Sequence, residues 1–163
     1  MTARTEVVAA TMFSGGVLVT EEPAVEPVAE AVAPPPISTA AGRYLRAIAC
    51  SESPGSGVVA DVEARRIWKI AFGLAVRRRF DPGAPLAEIA RTVATAVREH
   101  AAAALPMLDA EMLLRAELGE EVPLDEIDPA IETAVHVLLF ATLADELALR
   151  EDELDGLIRQ AEK

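Results

Sequence analysis

Apolar residues recur at helical spacing from Asp61 onward. In the clearest stretch, Leu86, Ile89, Val93 and Val97 fall three, four and four positions apart, while Glu88, Arg91, Thr95, Arg98 and Glu99 face away. That period predicts an amphipathic helix, and Pro85 suits its first turn. Between Asp61 and Phe80, Ile67, Ile70, Phe72, Leu74 and Val76 supply an apolar side with Trp68 beside it. Arg65, Arg66, Lys69 and Arg77 to Arg79 supply the charge, and the three arginines complement the negative end of the helix dipole. Asp81-Pro82-Gly83-Ala84-Pro85 stops this helix. After a bend at Pro106, Met107 to Leu118 reads as a shorter helix closed by Gly119.

Glu120 to Ile127 is an acidic turn, and Asp128-Pro129 is a helix start, with Asp as cap and Pro in the first helical position. The following stretch is apolar nearly all round through Val135, Val137, Leu138, Leu139, Phe140 and Leu143. Such a helix is central in its bundle or sits at an interface. Leu147, Leu154, Leu157 or Ile158, and Ala161 either extend it or, restarted by Glu151-Asp152, form a separate short helix. Upstream, a short helix is expected from Thr39 to about Cys50, with Ser38 or Thr39 as cap and Tyr44, Leu45 and Ile48 on one side. No repeat and no convincing strand interrupts this pattern. The expected fold class is therefore all-α, a bundle of four to five helices.

Proline and glycine set the expected boundaries. Five of the eleven prolines lie between Pro23 and Pro36, in an Ala/Val/Glu-rich stretch that should be extended and solvated. Residues 1–37 are thus expected to be a disordered Pro/Ala/Val/Glu-rich tail. It carries an apolar patch at Met12, Phe13, Val17, Leu18 and Val19, which could dock on a partner. Residues 38–57 should hold the short helix and a flexible linker, Ser51 to Gly57, and residues 58–163 an acidic helical domain.

Composition sharpens this picture. Hydrophobic residues make up 52% of the 163 positions but aromatics only 4%, so Ala, Val and Leu supply the apolar mass, which suits helix packing better than a sandwich. The net charge of −12 is unevenly spread: residues 61–100 carry eight basic and five acidic side chains, residues 101–163 four and sixteen. One basic segment thus lies between acidic ones. The single cysteine, Cys50, excludes a disulfide within the chain and a Cys-rich metal site, and is compatible with a reducing cytoplasm. The longest near-apolar run, Ala134 to Ala144, covers 11 residues where a membrane span needs about 20. Val7 to Val19 is interrupted by Ser14-Gly15-Gly16 and followed by acidic residues, so no signal peptide is expected.

These residues bear on four chemistries. Leu86-Ala87-Glu88-Ile89-Ala90 resembles the opening of a helix-turn-helix unit, but Arg91 to Arg98 continues without the required turn. With the acidic net charge, this argues against nucleic acid as a partner. Glu132 and His136, four apart, share a helix face, yet no second pair exists to complete a di-metal site. His100 follows Glu99 directly, so those side chains diverge. No Gly-rich phosphate loop occurs, and Cys50 has no histidine near it in sequence. The 61–80 helix has the elements of a membrane-surface helix, though its aliphatics equally suit a buried one. No cofactor, catalytic group or metal ligand is expected.

The leading functional expectation is a non-catalytic adaptor, scaffold or accessory subunit that self-associates and tethers a protein partner through its tail. Ile131, Val135, Leu138, Leu139 and Leu143 would carry the core or dimer contact. Arg65, Arg66, Lys69, Arg77, Arg78 and Arg79 would pair with acidic helix ends of the same or a second copy. The alternative is a helical ligand-binding or catalytic domain with His100 or His136 in a pocket. A pocket holding a histidine of perturbed pKa would favour that alternative.

Overall fold

The computed structural model describes residues 35–163, whose regular structure is entirely helical. The six α-helices are α1 (Ala40–Ala49), α2 (Val62–Arg79), α3 (Leu86–Glu99), α4 (Met107–Glu117), α5 (Pro129–Glu146) and α6 (Glu151–Ala161). Single 3-10 turns occur at Ala101–Ala103 and Leu124–Glu126. Six helices replace the expected four to five because helix α1 joins the packed unit, burying Leu45 completely; of the two readings open after Asp128, the structure has two separate helices.

The break lies in backbone geometry. Ala148 adopts φ 51° just past the end of α5. Its amide donates to the Asp145 carbonyl (3.0 Å), and the Leu149 amide donates to the Ala144 carbonyl (3.1 Å). These are the two bonds of a Schellman motif. The same pair closes α4 at Gly119 (φ 94°) and α1 at Ser51 (φ 58°). Only Gly119 is the residue type that normally marks such an end; the stop at Ser51 is signalled by the Ser51 to Gly57 run that follows, and the stop at Ala148 is silent in the sequence.

The two longest helices, α2 and α5, pack against each other at the centre. Helix α1 packs on both, α6 on α1 and α2, α3 on α5, and α4 on α2, α3 and α5. Helix α5 therefore touches four helices of its own chain, α1 to α4. That accounts for its apolar residues on every face without a second copy. Its Val135, Leu139, Phe140 and Leu143 are fully buried, meeting Phe72, Ile67 and Val76 of α2 in one core. Leu86, expected on the apolar stripe of α3, is instead 59% exposed at the helix start.

Polar contacts fix α1 in place. Glu162, just past α6, accepts the backbone amides of Ser38 (3.1 Å) and Thr39 (2.8 Å) and both hydroxyls. Thr39 in turn caps α1 by accepting from the Gly42 amide. A Cβ on Gly42 would sit 2.6 Å from both Glu162 and Ile37, so the close approach of α1 and the α6 end requires glycine there. The Trp68 indole N–H donates to the Ala41 carbonyl at 3.0 Å and ties α1 to α2. Arg46 bridges Glu151 and Asp155 of α6, and both hydrogen bonds push its pKa up. No helix of the described residues is long and apolar enough to cross a membrane.

Candidate ligand-binding cleft

The basic residues that the sequence groups together fall into two sets with different surroundings. Arg77, Arg78 and Arg79 leave the end of α2 in different directions, and each meets a carboxylate of another helix. Arg77 reaches Glu117 of α4 (2.8 Å), Arg78 reaches Glu153 of α6 (3.2 Å), and Arg79 reaches Glu146 of α5 (3.0 Å) and Glu88 of α3 (3.7 Å). Glu146 also accepts from the buried Thr92 hydroxyl at 2.9 Å. The end of α2 is thus a charged junction of the bundle, solvent-screened and modest in energy per pair.

Arg65, Arg66 and Lys69, in the first half of α2, do something else. They line a cleft of about 250 Å³ whose other wall is the start of α5: Pro129, Glu132, Thr133 and His136. Arg65 and Lys69 are four apart and so share a helix face. The Arg66 guanidinium is held by Glu63 through two hydrogen bonds of 2.9 and 2.8 Å, which raises the pKa of Arg66 and lowers that of Glu63. Arg65 and Lys69 have no carboxylate partner within 4 Å among the described residues. Glu132, across the cleft, likewise forms no ion pair with them.

His136 lies at the bottom of this cleft, 4% exposed, its ring centroid 5.1 Å from that of Phe72. Its ring forms no hydrogen bond with the described residues. Burial, helped by the nearby positive charge of Lys69, pushes its pKa down from 6.5 to about 4. The ring is therefore neutral at pH 7, a polar group that can donate from one nitrogen and accept at the other.

Other concavities occur among the described residues. His100 lines a cleft of about 290 Å³ with Ser51, Glu99 and Asp145, and its Nε2 is buried without a partner. Cys50 borders a smaller cleft beside Asp145 and Glu151, and burial raises its thiol pKa, partly offset by Arg46. That direction makes it a poor nucleophile. Tyr44, Val58, Trp68, Val137 and Leu138 line an apolar groove of about 290 Å³. Among the described residues no group of three or more His, Cys, Asp or Glu side chains is arranged to hold a metal ion.

Of the interaction residues expected on α5, Val135, Leu139 and Leu143 lie wholly inside the core, whereas Ile131 and Leu138 are half-buried at its edge. The tail patch at Phe13, Val17, Leu18 and Val19 lies outside the described residues. The sequence shows both halves of the cleft, Arg65/Lys69 and Glu132/His136, as pairs four apart. It does not show that the two pairs face each other, because that follows from the packing of α2 on α5. In comparisons with protein-family models, curated proteins and solved structures, nothing matches the chain.

Proposed function

We propose that this chain is a helical ligand-binding domain whose site is the His136 cleft. One observation carries the proposal: Arg65 and Lys69, free of carboxylate partners, share a cleft with a buried neutral histidine that has no hydrogen bond. The His136 nitrogens, unlike His100 Nε2, keep access to the cleft, where a ligand can bond to them in place of water. Concave sites that combine a few polar groups with a perturbed titratable residue are where ligands bind. A thermal-shift panel of small anionic, cationic and neutral compounds on the full chain tests this, with hits mapped by backbone amide shifts. Stabilisation with shifts at residues 65–69 and 129–136 is expected. No hit, or hits mapping only elsewhere, would overturn it.

A second reading, the self-associating scaffold, rests on a different surface. From Ala101 to Leu108 the chain carries no charge, its four alanines are exposed, and Met107 and Leu108 are 46% and 67% exposed. An exposed apolar run of this kind marks protein contact surfaces. Molar mass by light scattering tests it: a discrete oligomer lost in Leu108→Asp supports self-association, and a monomer at all concentrations refutes it. A cytoplasmic setting belongs to both readings, supported by the lone thiol of Cys50.

A further inference from the structure

We propose that the His136 cleft takes a small hydroxylated phosphate monoester; this rests on the ligand-binding reading above and names its ligand class. The chain has 27 acidic against 15 basic side chains. Arg46, Arg77, Arg78, Arg79, Arg115 and Arg150 all have carboxylate partners. Arg65 and Lys69 have none among the described residues, as is true also of Arg43, Arg91, Arg98 and Arg159, but these two line one cleft. A guanidinium and an ammonium side by side match a phosphoryl group, the first as a planar fork and the second as a point charge. The opposite wall is the first turn of α5, whose positive end is already capped by Asp128 accepting from the Ala130 amide, so the cations of α2 carry the attraction. His136 adds a hydrogen-bonding atom at the bottom without adding charge, because its pKa is held near 4.

Glu132 is the one acid in the lining and sets the second half of the ligand. Glu132 repels any phosphoryl group, bare or esterified, but a hydroxyl on the ligand can donate to it. Thr133 donates its own hydroxyl to the Pro129 carbonyl at 2.9 Å, leaving its oxygen able to accept. Hydroxyl donors on the ligand thus meet acceptors, and the phosphoryl group meets cations. At about 250 Å³ the cleft lies below the roughly 300–1,000 Å³ of sites for drug-sized ligands. Its size suits a phosphoryl group on a short hydroxylated carbon chain.

Calorimetry on the full chain at fixed ionic strength tests this with glycerol 3-phosphate, inorganic phosphate, glycerol and choline. Glycerol 3-phosphate should bind more tightly than inorganic phosphate, with glycerol and choline not binding. Arg65→Gln and Lys69→Gln, at exposed positions that leave the core intact, should each weaken it about tenfold or more. Glu132→Gln should tighten inorganic phosphate and erase the preference for the ester. Unchanged affinity in both Arg65→Gln and Lys69→Gln overturns the proposal. Binding only to phosphatidylcholine vesicles doped with phosphatidic acid, and not to the free ester, overturns it in favour of a lipid headgroup. If glycerol or choline shifts residues 65–69 and 129–136 while the phosphates do not, the ligand class falls and the ligand-binding reading stands. If nothing tested shifts those residues, both fall.

Discussion

Lowering the pH from 7 to 5 should destabilise this fold through one side chain. In the unfolded chain His136 binds a proton with a pKa of 6.5, and in the folded chain only near 4. Between those values the unfolded state carries the extra proton, so stability rises with pH and is lost as pH falls through 6.5 toward 4. Each pH unit inside that window is worth about 1.4 kcal/mol, and allowing for partial protonation near pH 6.5 the loss between pH 7 and 5 is about 2 kcal/mol. The charged groups facing the ring share the cleft: Arg65, Arg66 and Lys69 from α2 and Glu132 one turn before it on α5, with Phe72 against its face. Urea unfolding of the wild type and of His136→Leu at the two pH values measures the effect. Glu63, Glu120, Glu153 and Glu162, whose pKa values are also lowered, lose stabilisation at lower pH in both proteins and so cancel in the difference. The variant should lose less stability than the wild type by about 2 kcal/mol over that range. A gap between the two proteins that is the same at pH 7 and pH 5 would refute a buried, neutral His136.

Substitutions at three other positions test the fold. Leu139→Ala, at a fully buried position of α5, should cost about 3 kcal/mol by leaving a cavity, and Leu139→Asp should abolish cooperative unfolding; unchanged melting of either would contradict the central place of α5. Ala148→Gly should stabilise by about 1 kcal/mol, since φ 51° is a left-handed conformation that strains alanine; a destabilised variant would show the turn is held differently. Glu162→Ala should cost about 1 kcal/mol and loosen α1, read as faster amide exchange at Gly42 and Arg43; unaltered exchange would mean the α1 start is held by Trp68 and Arg46 alone.

The helices themselves were legible because their signals are local. The three-four-four spacing of Leu86, Ile89, Val93 and Val97, the Asp128-Pro129 start and the Gly119 stop each act within one or two turns, and the structure places helix ends at or within a residue of them. Helix α5 carried its own explanation as well, since a helix wrapped by α1 to α4 must be apolar on every side. The break after Glu146 was only half legible: Glu151-Asp152 signals a restart, but Ala148 and Leu149 carry no glycine or proline signal and the stop is made by backbone geometry. The packing of α1 was not legible, since it depends on Glu162, 123 residues further on. The cleft failed for the same reason: Arg65 and His136 are 71 positions apart in the chain. The pattern of Glu132 and His136 suggested a metal pair that finds no third ligand, while Arg65, Arg66 and Lys69 on the facing wall were grouped with Arg77 to Arg79 as cations for acidic helix ends.

The most direct test of the ligand-binding cleft is a structure of the full chain determined with glycerol 3-phosphate. The phosphoryl oxygens should lie within hydrogen-bonding distance of Arg65 and Lys69, with a ligand hydroxyl on Glu132. A cleft left empty under saturating ligand, or a ligand bound only at another surface, would contradict it.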